Sequence, residues 1–163
     1  MKKCLAFCLL SCLCFFCFSE SANQYFNTAV GFSSYFSENA SLIGLTYQEW
    51  FDNEWGFQFS AGAIKNDSVN YSLEVKAQRL LTTNKMGKRT SSALFLWASS
   101  GVFSTENYST NTTSPSFFLG TGFGIEFILF NHISIPITFG INGSFSNQTS
   151  VATGVGIGVL YRF

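Results

Sequence analysis

Charged residues are scarce in this chain. Only nine Lys or Arg and nine Asp or Glu occur among 163 residues, and the formal net charge is zero. Soluble globular domains carry roughly 25% charged residues, whereas this chain carries 11% and is 47% hydrophobic. Because a soluble exterior has to be polar, this composition favours a surface that contacts lipid. The lack of a basic excess excludes the electrostatic signature of nucleic-acid binding.

Cysteine is absent from most of the chain. All five cysteines lie in the opening segment MKKCLAFCLLSCLCFFCFSE, where two lysines precede an apolar run. A charged start followed by a short apolar run is typical of a cleaved secretory signal peptide. We predict a signal peptide at residues 1–19 and a mature domain at 20–163, with a cut after Ala22 as the competing site. The mature domain would then lack disulfides, thiolate nucleophiles and zinc–thiolate sites.

The segment LLSC, which ends at Cys12, offers an alternative to this cleavage. It resembles a relaxed bacterial lipoprotein signal, in which the cysteine becomes a lipidated N-terminus. The apolar run before Cys12 is short for that purpose, and Cys12 also fits as one more apolar residue of the leader. The mass of the mature N-terminus separates the two interpretations.

Long apolar runs and helical periodicity are missing after the leader. No later segment reaches the roughly 20 apolar residues that a membrane-spanning helix needs, and proline occurs only twice. Alternation with a period of two dominates instead, as in residues 154–163, where every second residue from Val155 to Phe163 is Val, Ile, Tyr or Phe. This pattern predicts eight strands, at about 25–36, 41–51, 55–64, 69–80, 92–103, 117–129, 133–142 and 151–163.

Two kinds of barrel have alternating strands. A soluble lipocalin-like barrel turns the apolar face inward, whereas a membrane barrel turns it toward lipid. Here the other face is built from Gly, Ser, Thr, Asn and Gln, and the apolar face carries charge only at strand ends, at Glu49 and Arg79. Aromatic residues, including Tyr35, Trp50 and Phe118, gather near strand ends, as in the interfacial girdles of membrane barrels. We therefore predict that the apolar face contacts lipid.

The connections between these strands alternate in character. Those near 37–41, 65–68, 104–116 and 143–150 are rich in Ser, Thr and Asn, whereas 51–54 and 130–132 are tight turns. Membrane barrels have short periplasmic turns and longer external loops, which predicts that both termini are periplasmic. The connection 82–91 departs from this rule because it is long for a periplasmic turn, and it carries Lys85, Lys88 and Arg89.

The terminal strand GVGIGVLYRF and the segment GTGFGIEFILFNHISIPITFGI carry a family resemblance. Together with the leader and the strand count, they resemble the small eight-stranded outer-membrane β-barrels of the OmpA, OmpX and OmpW type. The resemblance implies an all-β, eight-stranded antiparallel transmembrane up-and-down β-barrel in the outer membrane of a diderm bacterium, surrounded by outer-membrane lipid and expected to be a monomer. It also implies that Tyr161 and Phe163 form the assembly signal for the barrel-insertion machinery.

The inward face is expected to carry a polar network in the lumen. Its candidate residues are the polar side chains of the non-apolar face: Gln48, Gln58, Glu74, Lys76, Gln78, Glu126 and Arg162. Buried charges have to be paired or hydrated, and Glu126 and Arg162 lie near the same end on strands separated by one other. Glycines thin the inner walls of strands six and eight, while the parity of strand five is ambiguous, so that either Phe95 and Trp97 or Leu94, Leu96 and Ala98 point inward.

These features favour a structural, surface-exposed outer-membrane protein that is not an enzyme and needs no cofactor or metal. The alternative is an OmpW-like channel, in which small glycine walls opposite an apolar strand form a path for a small hydrophobic solute. An adhesin that binds through the 104–116 loop is a further reading. His132 and Ser134 are reminiscent of the His-x-Ser pair of outer-membrane lipid A deacylases, but Ile135 replaces the Asn that typically follows, and the pair sits in a predicted periplasmic turn.

Overall fold

The chain forms a closed barrel of eight antiparallel strands joined in sequence order. The computed structural model describes residues 28–37, 41–51, 54–65, 69–107, 112–145 and 149–163. The strands are β1 (Ala29–Ser37), β2 (Ser41–Trp50), β3 (Trp55–Lys65), β4 (Val69–Lys85), β5 (Thr90–Asn107), β6 (Thr112–Leu129), β7 (Ile133–Phe145) and β8 (Thr149–Arg162). Because β8 pairs with β1, the sheet has no open side. The predicted all-β eight-stranded antiparallel barrel is confirmed.

The predicted signal peptide and Cys12 lie outside the described residues. Within the described ranges there is no helix that combines the length and hydrophobicity needed to cross a membrane. We call the end where β1 begins and β8 finishes the terminal end. The opposite end, where β1 finishes and β2 begins, is the loop end.

Alternation along the strands sorts the side chains into two environments. On the outward face, Phe32, Ile43 and Val75 are 64%, 60% and 51% exposed. On the inward face, Gln48 and Glu126 are fully buried. An apolar exterior around a polar interior is the reverse of a soluble barrel, in which apolar side chains fill the inside. The predicted apolar-outward orientation is therefore confirmed.

The strands are tilted, so one row of paired residues climbs from one end of the barrel to the other. The row that begins at Phe36, near the loop end, reaches Trp55, the first residue of β3, at the terminal end. Between them it passes through Val155, Phe139, Phe123, Leu96 and Arg79. Closed barrels require this stagger between strands, and along such a row residues far apart in the sequence become neighbours.

Strands β4, β5 and β6 are each at least five residues longer than the sequence predicts. β4 and β5 extend through most of the predicted 82–91 connection and leave a short turn at residues 86–89, while β5 and β6 extend through most of 104–116. The prediction of a long irregular turn at 82–91 is thus wrong. Met86 N and Gly87 N both donate to Thr90 O, at 2.9 and 3.1 Å, and close the hairpin. A register shift between Leu80 and Thr82 marks a bulge in β4. It lies just after Arg79, which pairs with Trp55 at the start of β3.

The connection between β6 and β7 is a tight turn of three residues, 130–132. Phe130 and Asn131 have φ values of 56° and 63°, and His132 N donates to Leu129 O at 3.1 Å. Positive φ at both central residues defines the type I′ turn, whose twist matches that of antiparallel strands. Asn131 suits this conformation, whereas Phe130 adopts it at a steric cost. The tight turn predicted at 130–132 is confirmed.

Several aromatic residues assigned to the lipid interface point into the barrel instead. Trp50 is only 5% exposed, and its ring centroid lies 6.3 Å from that of Phe95 in an edge-on contact. Phe118 is 9% exposed, and the Tyr35 side chain reaches over Gly154 on the inner wall. Their parity explains the error, because Trp50 shares a strand face with Gln48. Closeness to a strand end does not decide which face a residue occupies.

Candidate functional site in the barrel lumen

Three glutamines form the first part of a hydrogen-bonded network in the lumen. Gln48 Nε2 donates to Gln78 Oε1 at 3.0 Å, and Gln78 Nε2 donates to Gln58 Oε1 at 3.3 Å. All three are at most 5% exposed. Each comes from an inward position of β2, β3 or β4, so the strand alternation alone aims these amides at one another. Amides that donate and accept in sequence satisfy each other without water.

An ion pair forms the second part of the network. Arg162 Nη2 lies 2.6 Å from Glu126 Oε1, and the two side chains are 3% and 0% exposed. Ser134 Oγ donates to the same carboxylate oxygen. The pair joins β8 to β6 across β7, as the sequence suggests, and the intervening strand supplies the serine. A buried carboxylate is costly unless a cation and hydrogen bonds compensate it, and here both are present.

The two parts meet at Gln48. Arg162 Nη2 is 3.5 Å from Gln48 Oε1, a long contact that links the ion pair to the glutamines. From Gln58 the network continues through Ser60 Oγ to Thr46 Oγ1, each step 3.1 Å, and on to Ser33 at 2.5 Å. Every strand except β5 thus contributes a side chain to it. We call these nine side chains the lumen network: Ser33, Thr46, Gln48, Gln58, Ser60, Gln78, Glu126, Ser134 and Arg162.

Strand β5 contributes bulk rather than polarity. Phe95 and Trp97 point inward and are 0% and 1% exposed, which settles the ambiguous parity of this strand. A Cβ atom on Gly140 would lie 2.2 Å from Trp97 Cζ2, and one on Gly124 would lie 2.3 Å from Phe95 Cζ. The glycines of the neighbouring strands β6 and β7 therefore make room for these rings. This fit favours a packed interior over an open hydrophobic path.

Glu74 and Lys76 pair in register with Ser60 and Gln58 of the lumen network, but their side chains form an ion pair of their own. Lys76 Nζ is 3.7 Å from Glu74 Oε2 and 4.9 Å from the centre of the Trp97 ring. The Lys76 and Glu74 side chains are 7% and 15% exposed. Of the seven candidate residues, the structure brings five together and places these two on the loop-end side of Trp97.

The residues His132 and Ser134 do not form a catalytic pair. Ser134 is fully buried and donates to Glu126, whereas His132 is exposed and stacks on Tyr161 with ring centroids 5.8 Å apart. His132 Nδ1 lies 3.2 Å from Arg162 O. His132 lies in the turn before β7 begins at Ile133, whereas Ser134 lies in β7 and faces the lumen, so the even spacing of the two residues does not bring their side chains together.

Sequence reasoning missed four members of the lumen network. Ser33, Thr46, Ser60 and Ser134 all lie at inward positions of predicted strands, so their parity was available. Their short hydroxyl side chains gave no sign of a role, because serine and threonine occur throughout the inward face. Within the described ranges, no group of three or more His, Cys, Asp or Glu residues could hold a metal ion.

Comparison with known proteins identifies similar folds only. No protein-family model matches the chain, and no curated protein matches it in sequence. The N-terminal β-barrel domain of Pseudomonas aeruginosa OprF superposes with a TM-score of 0.57 at 10% identity, covering 82% of this chain and 96% of that one. Neisserial surface protein A, NspA, gives a TM-score of 0.49 at 15% identity, with 83% and 94% coverage.

The attachment invasion locus protein Ail of Yersinia pestis gives a TM-score of 0.48 at 18% identity, with coverage of 85% of this chain and 97% of that one. At such low sequence identities, the superposition on the OprF domain supports a shared architecture and nothing more. It agrees with the strand order, the closure by β8 and β1, and the apolar exterior described above. The chain therefore has the fold of the small eight-stranded outer-membrane β-barrels.

Proposed function

We propose that the chain is an integral outer-membrane protein whose role is structural and surface-exposed. In this proposal the leader at 1–19 directs export, both termini are periplasmic, and the barrel-insertion machinery reads Tyr161 and Phe163. Tyr161 lies on the outward face of β8 and Phe163 directly follows that strand, and the two are 58% and 64% exposed. The barrel is a monomer in contact with outer-membrane lipid and needs no cofactor.

One observation carries the proposal: the barrel wall is apolar outside and polar inside. Outward side chains such as Phe32, Leu45 and Val159 are more than half exposed, whereas the lumen network is hydrogen-bonded and buried. Burying exposed apolar surface in lipid stabilises the fold by about 25 cal/mol for each Å². Only closed barrels and helices satisfy every backbone group inside hydrocarbon, and the pairing of β8 with β1 meets that condition.

Extraction and gel mobility test the proposal. The protein should fractionate with outer membranes, require detergent for extraction, and migrate differently on a gel before and after boiling. Recovery in the soluble fraction without detergent would refute the membrane assignment. Mass measurement of the mature N-terminus tests the cleavage site separately.

The filled interior opposes the channel alternative. The lumen network and the Trp97 and Phe95 rings occupy the terminal half of the barrel, where the largest buried side chains are at most 1% exposed. An eight-stranded barrel is just wide enough for its side chains to fill it. We expect no conductance in planar bilayers and no uptake of small hydrophobic solutes into liposomes. Steady flux through the purified protein would favour the channel.

A further inference from the structure

We propose that the loop half of the lumen is a polar binding chamber for a small zwitterionic solute. Trp97 forms its base, with Lys76 Nζ 4.9 Å from the centre of the Trp97 ring. Its walls carry Tyr35, Glu74, Lys76, Ser99 and Asn142. This inference goes beyond the proposed structural role, although its test uses the folded outer-membrane form.

Hydrogen-bonding groups without partners are the first observation. Tyr35 Oη, Ser99 Oγ and Asn142 Oδ1 are buried, and none makes a hydrogen bond with any residue that the structure describes. The whole Ser99 residue is only 6% exposed. Nearly all buried polar groups in folded proteins find a partner, and each exception calls for a water, an ion or a ligand. Three such hydrogen-bonding groups, on three different strands, indicate one shared ligand.

The positions of these groups are the second observation. Ser99, Gly120 and Asn142 lie side by side on one register row across β5, β6 and β7. A Cβ atom on Gly120 would lie 2.0 Å from Asn142 Oδ1 and 2.8 Å from Ser99 Oγ. Both groups therefore lean over the glycine from opposite sides. Lys76 on β4 pairs with Ser99 on β5, so the two side chains are neighbours on the inner wall.

The charges of the chamber indicate the class of guest. Lys76 Nζ and Glu74 Oε2 are 3.7 Å apart, too far for a hydrogen bond although close enough for attraction. Each therefore keeps hydrogen-bonding capacity for a third group. A zwitterion presents a carboxylate to Lys76 and an ammonium group to Glu74, and its ammonium hydrogens can reach acceptors such as Asn142 Oδ1. Charge-assisted hydrogen bonds of this kind are among the strongest available in proteins.

Thiol labelling tests the chamber, with Ser99→Cys as the probe and Ser60→Cys as its matched control. Both serines are buried and point inward, but Ser60 Oγ is hydrogen-bonded within the lumen network. Each variant is purified from the outer membrane in detergent, its heat-modifiable mobility is checked, and it is treated with 2-aminoethyl methanethiosulfonate. We expect Ser99→Cys to react at least about tenfold faster than Ser60→Cys, because access controls the rate.

Protection by free glycine, the simplest zwitterionic probe, then tests whether the ligand is a zwitterion. Glycine at high millimolar concentration should slow labelling of Ser99→Cys, whereas equal concentrations of urea should not. Equal rates for the two variants, or an unreactive Ser99→Cys in a correctly folded barrel, would overturn the chamber. Fast labelling without protection by glycine would overturn the zwitterion assignment. Unsubstituted protein gives the background, and loss of heat-modifiable mobility would instead mark a failure of the outer-membrane proposal.

Discussion

The substitution Arg162→Met should destabilise the barrel strongly, because it leaves Glu126 buried without its cation. Glu126 is fully buried, its Oε1 receives Arg162 Nη2 at 2.6 Å and Ser134 Oγ, and its Oε2 has no hydrogen bond with the described residues. After the change, a single hydroxyl donor would remain for a desolvated carboxylate. Removing one partner of a buried ion pair costs about 3–5 kcal/mol, and we expect a loss of that size in the free energy of unfolding.

Urea titration in lipid vesicles measures this loss. The fraction of heat-modifiable protein and tryptophan fluorescence report unfolding, since Trp50 and Trp97 are both buried in the lumen. Arg89→Met in the exposed 86–89 turn is the matched control and should change stability by no more than about 0.5 kcal/mol. The double variant Glu126→Gln with Arg162→Met should recover much of the loss, since neither charge then remains. If Arg162→Met behaves like Arg89→Met, the ion pair contributes no stability and the reasoning fails.

Three further outcomes are expected. Gly140→Ala should lower stability by about 1–3 kcal/mol, because its Cβ would lie 2.2 Å from Trp97 Cζ2, whereas Gly87→Ala, with no atom within 4 Å, should be neutral in the same titration. Val75→Arg on the outward face of β4 should cost about 2–4 kcal/mol in a bilayer, and Val75→Leu should not; equal stabilities would contradict the lipid-facing assignment. Phe163→Ala should reduce assembly into outer membranes in cells but leave refolding of the purified protein into vesicles unchanged, and slower refolding would instead assign Phe163 a structural role.

The strand count and the facing of most strands could be read from the sequence because both follow from local alternation. The alternation of Val155, Ile157 and Val159 predicts an outward face whatever strands lie beside it. The inward face of β5 could not be predicted from alternation, because Phe95 and Leu96 are both large and apolar. Its parity is decided by the fit of Trp97 over Gly140 on another strand. Hydrophobic pattern cannot supply that distant partner.

The strand ends and the lumen network depend on information that is not local. Thr82–Lys85 and Thr112–Ser116 have the composition of loops, yet they pair with a neighbouring strand and extend the hairpins beyond the barrel. The pair of Glu126 and Arg162 could be inferred because two charges on inward faces need compensation. Ser134 could not, because the strand tilt determines which of many inward hydroxyl groups reaches the carboxylate.

The position of Arg162 near the end of β8 gives barrel closure a chemical consequence. Arg162 N donates to His132 O at 2.7 Å, and Phe163 N donates to Thr28 O at 3.1 Å, so the final residues join both neighbouring strands. Glu126 therefore gains Arg162 as its counterion only when β8 has paired with its neighbouring strands. Closure of the sheet by β8 and compensation of the Glu126 charge are therefore coupled, and a barrel without β8 would leave that carboxylate without Arg162.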